Sequence, residues 1–384
     1  RAALDELTVK RDGVDGRAIY VYGEGWNFGE VADNARFEQA SQLNLGGTGI
    51  GSFSDRLRDA VRGGGPFDDD PRIQGFGSGL FTDPNGAAVN GSAEEQRKRL
   101  LHAQDLVKLG LAGNLAGFRF TDSSGNQVTG SEVDYNGSPA GYAEDPSETV
   151  TYVDAHDNET LFDVLTMKLP TGTSMEDRVR MNTVALSTTA YSQGVVFWHA
   201  GADILRSKSL DRNSYDSGDW FNRVDWNRKE NTFGSGLPPE TDNGSKWKYM
   251  RPLLGDPALR PAQEDMDAAH AAAADLLRIR MSTPLFRLGS LAAIQEKVSF
   301  PDADPGVIAM HVDDTVGADR DPGLDGVLVV FNASPSRTTV ADVGDGWTLH
   351  ELQDAGSDQV VKQSVASGGE VTVPGRTTAV FVRR

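Results

Sequence analysis

Ala18-Ile19-Tyr20-Val21-Tyr22 runs without a break into Gly23-Glu24-Gly25-Trp26. A short apolar run, bounded by polar residues and a glycine, reads as a buried strand. The carboxylate after it lies where a parallel α/β sheet or barrel places its chemistry, at the carboxyl end of a strand. Two flanking glycines leave Glu24 open to a ligand, and Trp26 offers a flat face to a sugar ring. An exposed turn glutamate would leave the same letters, so this stretch alone divides evenly between the two readings.

The pattern repeats along the chain. Ile50-Gly-Ser-Phe53 is a weaker strand, followed by a helical stretch from Asp55 to Val61. Ala93 to Leu109 carries apolar residues at helical spacing and meets Gly110, a natural terminator. Val150-Thr-Tyr-Val153 is a third strand, with a helix from about Glu159. Glu176 to Tyr191 is helical, Gly194-Val-Val-Phe-Trp198 is a fourth strand, and Ala262 to Met281 is a long alanine-rich helix. Strands alternating with helices imply a parallel sheet, open or barrel-shaped. After Pro284 the texture changes. From Leu291 onward come short Val-, Ile- and Thr-rich runs such as Val327-Leu-Val-Val-Phe331, separated by Gly, Asp and Pro turns. They suggest an antiparallel β-sandwich. The expected division is an α/β part at residues 1–284 and a sandwich at 285–384. A long irregular insert occupies 203–260, and its Asp211 to Lys248 portion is rich in Asp, Asn and aromatics. Loops of that length are more often functional than idle.

Bulk properties narrow the partners. A chain of 384 residues fits one large and one smaller domain. A net charge of -19 argues against nucleic acid and anionic membranes, and favours a neutral ligand. No apolar run approaches the ~20 residues of a membrane span. The absence of cysteine excludes disulfides and thiolate chemistry. Arg1 to Lys10 has an amphipathic helical pattern with nothing ahead of it, which suggests a piece of a longer protein.

His156-Asp157-Asn158 follows the third strand as Glu24 follows the first. A His that donates to a hydroxyl and an Asp that accepts from one can grip vicinal sugar hydroxyls and support charge at a reacting carbon. The plainer alternative is an N-cap for the next helix. Asp219-Trp-Phe-Asn222-Arg223 suits a polyhydroxyl ligand, although a surface ion pair between Asp219 and Arg223 explains the spacing slightly better. Gly46 to Gly51 resembles a phosphate cradle without its Gly-Lys-Ser/Thr, and reads as tight packing. Asp68-Asp69-Asp70 could touch calcium, but reads first as a solvated acidic loop. The histidines at 102, 199, 270, 311 and 350 lack metal-ligand spacing and read as structural.

Together these segments resemble the α-amylase superfamily, and within it the pullulanase and limit-dextrinase type of debranching enzyme. Tyr22-Gly-Glu-Gly-Trp-Asn-Phe-Gly-Glu-Val31 resembles the family's fifth-strand motif, and Gly47 to Phe67 the stretch after it. Tyr152-Val-Asp-Ala-His-Asp-Asn158 resembles the seventh-strand motif. Gly201 to Ser209 and Tyr215 to Asp225 resemble segments after the eighth strand. The resemblance implies the C-terminal half of a (β/α)8 barrel followed by a β-sandwich. It implies hydrolysis of α-1,6 branch linkages in pullulan, starch or glycogen-derived limit dextrins, by a retaining mechanism that requires no cofactor and leaves room for structural calcium. Glu24 would be the acid/base, and His156 with Asp157 would hold the reacting sugar. Asp219, Asn222 and Arg223 would bind its neighbour, with Trp26 as a stacking platform. An extracellular or cell-surface bacterial setting follows from the same resemblance.

Two departures stand out. Asn27 replaces a usual Asp. More seriously, the nucleophile motif that should precede Glu24 is missing. Gly117-Phe-Arg-Phe-Thr121 mimics it, but follows Glu24 and has Thr in place of the nucleophile. The nucleophile and four strands are therefore expected upstream of Arg1, and this chain alone is expected to be inactive. Competing readings are a non-catalytic α-glucan-binding piece, and an α-1,4-acting amylase or isoamylase.

Overall fold

The computed structural model describes residues 1–384. Four parallel strands, β1 (Tyr22–Gly23), β2 (Gly51–Phe53), β3 (Thr149–Thr151) and β4 (Val195–Val196), lie side by side in chain order. Tyr22 pairs with Gly51, Ser52 with Thr149 and Val150 with Val195. A doubly wound sheet reverses its order at a switch point; this one does not. Aromatic rings run across the sheet: Tyr22 and Phe53 have centroids 6.0 Å apart, and Phe53 meets Tyr152 at 5.0 Å and Phe197 at 5.1 Å.

The first strand is shorter and more open than its sequence suggests. Gly16–Ala18 is a 3-10 turn, Tyr20 is 38% exposed and Tyr22 is 49% exposed. β1 is the edge of this four-stranded sheet and pairs with β2. The amphipathic pattern of residues 1–10 likewise resolves into two four-residue helices, Ala2–Asp5 and Val9–Asp12. Thr8 separates them by accepting a hydrogen bond from the Arg11 amide.

The helices that follow the strands include α1 (Asp55–Arg62), α2 (Ala93–Leu111), α3 (Leu161–Lys168), α4 (Met175–Ala190) and α5 (Gln263–Ser282). Three of these starts are capped by side chains. Ser92 accepts from the Glu95 amide while Glu95 accepts from the Ser92 amide, and Thr160 and Ser174 cap α3 and α4. Gly110 does not end α2, which continues through Leu111. A Cβ there would stand 2.4 Å from Leu57 Cδ1, so the glycine serves the close approach of α1.

The C-terminal part opens with another helix, α6 (Leu291–Lys297), where the sequence texture suggests strands. Ser290 caps it by accepting from the Ala293 amide. Then come β5 (Val298–Ser299), β6 (Val307–Asp313), β7 (Gly326–Asn332), β8 (Thr338–Val340), β9 (Thr348–Leu349), β10 (Val365–Ser367), β11 (Glu370–Val373) and β12 (Thr377–Arg383). They form a five-stranded sheet, β9-β12-β7-β6-β5, and a three-stranded sheet, β8-β11-β10, antiparallel throughout. Alternation along β7 sends Leu328 and Val330 to the core shared with Val371 and Val373 of the smaller sheet. Val329 and Phe331 join the larger core, with Tyr191 of the α4 terminus, Ile279 of α5 and Phe286. The larger sheet is thus buried on both faces, which explains why Val327 to Phe331 is apolar without a break.

Candidate active site

The carboxyl ends of β1, β2 and β3 open on one cleft of about 950 Å³. Glu24 and Trp26 reach it from the segment after β1, Phe53 and Asp59 from β2 and α1, and His156 and Asp157 from the segment after β3. Glu24, His156 and Asp157 are exposed, and Trp26 is half-buried. Gly25 is required twice over: its φ is 73°, and a Cβ would lie 2.7 Å from Ser52 Cβ. Asn27 and Asp33 bond reciprocally. Asn27 Nδ2 donates to Asp33 Oδ1 at 2.8 Å, and the Asp33 amide donates to Asn27 Oδ1 at 2.8 Å. An Asp at position 27 would lose the first of these bonds and set two carboxylates together.

The His156-Asp157-Asn158 turn is not a helix cap. Thr160 caps α3, and the buried Asp154 carboxylate accepts from the Leu161 amide at 3.0 Å. Asp157 accepts from the Asn158 amide at 3.0 Å and from Asn158 Nδ2 at 3.2 Å, with Asn158 at a φ of 64°. Beneath the turn, the buried Lys208 ammonium donates to the His156 carbonyl at 3.0 Å. Burial lowers the Lys208 pKa against the pull of Asp163 and Asp211. Asp163 accepts from Ser207 Oγ at 2.5 Å and from the Lys208 amide at 2.7 Å, yet burial still raises its pKa to about 6.

The cleft floor is polar. Arg58 donates from Nη1 to the Tyr152 hydroxyl at 2.7 Å and from Nε to Asp59 at 2.6 Å, and the Tyr135 hydroxyl donates to Asp59 at 2.6 Å. Burial pushes both phenols up, so they remain neutral hydrogen-bonding groups.

Residues of the insert sit apart. Asp219, Asn222 and Arg223 do not line the cleft that holds Glu24. Asp219 and Asn222 bound a one-turn helix, Asp219–Asn222. The Asn222 side chain closes its own loop, accepting from Ser214 Oγ at 2.8 Å and donating to the carbonyls of Ser214 and Gly218. Arg223 pairs with Glu230 at 2.7 Å, not with Asp219.

No group of three or more His, Cys, Asp or Glu side chains is arranged to hold a metal ion. The triplet at 68–70 is engaged locally: Asp68 accepts from the Gly65 amide at 2.6 Å, and Asp70 is forked onto Arg72. In the glycine-rich loop, the Gly49 amide donates to the Glu148 carboxylate at 2.8 Å, which fills the place of a phosphate.

Sequence reasoning gave no role to Asp154, Arg206 or Lys208 and read His199 only as structural; Arg206 and Lys208 come to the turn from beyond β4, with no spacing that joins them to it.

The family model for the C-terminal region of pullulanase-type alpha-1,6-glucosidases matches residues 228–384. Pullulanase 1, chloroplastic, of Arabidopsis thaliana is 47% identical over 397 residues, covering 100% of this chain and 41% of its own length. The pullulanase of Klebsiella pneumoniae is 42% identical over 375 residues, covering 94% of this chain and 34% of its own. The crystal structure of the maltotriose complex of PulA from Klebsiella pneumoniae superposes with a TM-score of 0.89 at 41% identity, over 95% of this chain and 40% of that one. The chain thus spans between a third and two fifths of the length of these relatives. With such identity over nearly its whole length, the chain belongs to the pullulanase-type α-1,6-glucosidase family.

Proposed function

We propose that this chain forms the C-terminal half of a (β/α)8 barrel with its β-sandwich, and supplies the acid/base side of a retaining α-1,6-glucosidase. The observation that carries the reading is the meeting of Glu24 with His156 and Asp157 in one cleft, from the ends of different parallel strands. Four strands in unreversed parallel order support the barrel. The relatives' greater length supports a longer protein around this chain.

In that longer protein, Glu24 protonates the bridging oxygen as a carboxylate outside this chain attacks the anomeric carbon. The leaving sugar departs with the proton, and Glu24 then takes a proton from the water that hydrolyses the glycosyl-enzyme. Retention requires the two carboxyl groups about 5–5.5 Å apart. His156 and Asp157 hold the ring hydroxyls at the reacting sugar, and Asp157 favours the oxocarbenium-like state. Trp26 stacks on a sugar face. The substrates are pullulan and branched dextrins, and no cofactor takes part. Asp219, Asn222 and Arg223 contribute to the neighbouring sugar's site from the insert.

The test compares initial rates of the longer protein on pullulan, amylose and glycogen. A preference for pullulan supports the α-1,6 assignment, and faster cleavage of amylose overturns it. The 384-residue chain alone is expected to release no reducing sugar from pullulan.

A further inference from the structure

The insert lies outside the cleft that holds the His156-Asp157 turn, yet a line of polar side chains runs from one to the other. Asp154 lies two residues before His156, and its carboxylate, 1% exposed, stands 3.4 Å from His199 Nδ1, close enough for an electrostatic contact but without a hydrogen bond. His199 Nε2 meets Arg206 Nη1 at 3.0 Å. A guanidinium only donates, so Nε2 accepts. Arg206 then donates from Nη1 to the Ala200 carbonyl at 3.1 Å and from Nη2 to the Asn222 carbonyl at 2.8 Å. The backbone is bent to allow this. Gly201 has a φ of 93° and Leu205 one of 57°, and a Cβ on Gly201 would stand 2.8 Å from Arg206 Cβ. Two residues further on, Lys208 holds the His156 carbonyl from below.

We infer that Arg206, through His199 and Asp154, is a positioning residue that fixes the Asp219–Asn222 helix relative to the His156-Asp157 turn. The inference deepens the proposed function, because it concerns how two sides of that same site keep their spacing. Arg206 itself touches neither cleft nor sugar. Its three hydrogen bonds tie the carboxyl end of the short helix to the loop after β4, and His199 carries the tie to the segment after β3. Two sugars joined by a flexible α-1,6 linkage must be held at a fixed separation for Glu24 to reach the bridging oxygen.

The experiment uses the longer protein with Arg206→Met, Arg206→Lys and His199→Ala. Amide hydrogen exchange is read at 154–158 and 219–223, with kcat and KM on pullulan. In R206M, both segments are expected to exchange faster than in the wild type, and in H199A the 154–158 segment likewise. KM is expected to rise about tenfold with a smaller change in kcat, as misplaced binding groups dictate. R206K is expected to recover part of the loss, because it keeps the charge and one donor direction. Faster exchange at 219–223 alone in R206M overturns the coupling. So does a fall in kcat at unchanged KM, which a mere loss of folded protein would give, or an R206K variant no better than R206M. If the wild-type protein fails to cleave pullulan, the proposed function falls, while the exchange data still decide whether Arg206 couples the two segments.

Discussion

Asp163 shows how a residue far from any motif can govern the protein's pH response. Its carboxyl is fully buried under the Lys208 backbone, and burial raises its pKa from the ordinary carboxylate range to about 6. A carboxyl whose folded pKa lies above its unfolded one binds its proton more tightly in the folded state. It therefore stabilises the fold below about pH 4, and that contribution is lost as pH rises through about 6. The shift of about two units corresponds to at most about 3 kcal/mol. The urea midpoint at pH 4.5 minus that at pH 7 should be more positive in the wild type than in Asp163→Asn, because only the wild type gains this stabilisation on acidification; equal differences would show that Asp163 does not titrate in this window. The residues that face the cleft were legible because chemistry at the ends of parallel strands follows the strand directly: Glu24 after Tyr22, His156 and Asp157 after Tyr152. Asp163, His199 and Arg206 were not. Their partners stand 44, 7 and 16 residues away and meet only through folding.

At the scale of elements, the caps and the close approaches decide which sequence signals hold. Ser92 and Glu95 mark the start of α2 as the capping-box pattern predicts, but Gly110 misleads because its missing side chain serves packing, not termination. Gly110→Ala gains up to about 1 kcal/mol of helix propensity. It also forces a methyl into Leu57, an overpacking cost of about 1–3 kcal/mol. A net loss of stability is expected on denaturant titration, and a gain would mean that α1 and α2 separate easily. In the sandwich, Lys297 and Asp314 form an ion pair at 2.8 Å with both side chains 0% exposed. Asp314 also accepts from the amides of Arg320 and Asp321. Lys297→Ala strands that carboxylate and is expected to cost about 3–5 kcal/mol, whereas removing both charges together should cost less. A Lys297→Ala variant unfolding at the wild-type urea concentration would contradict this. α6 went unread because it is seven residues long and its pattern is too brief to separate from a strand.

The whole molecule is organised by a sheet with two apolar faces. The strands β6, β7 and β12 present alternate residues to the small sheet and to the helices of the α/β part, so Phe331 meets Tyr191 at 6.3 Å while Leu328 turns the other way. Phe331→Ala is expected to cost about 3–5 kcal/mol and to shift near- and far-ultraviolet transitions together; separate transitions would show that the two parts unfold independently. Short Val-, Ile- and Thr-rich runs separated by Gly, Asp and Pro turns made the sandwich legible from sequence, and strand–helix alternation did so for the parallel sheet. β1 is the edge strand among these residues and shares its hydrogen bonds with β2 alone. The acid/base role proposed for Glu24 is tested by reducing-sugar release from pullulan by the longer protein and by its Glu24→Gln variant. A fall of about 10²–10⁴-fold in kcat with substrate binding retained is expected. Cleavage by Glu24→Gln at the wild-type rate would contradict it.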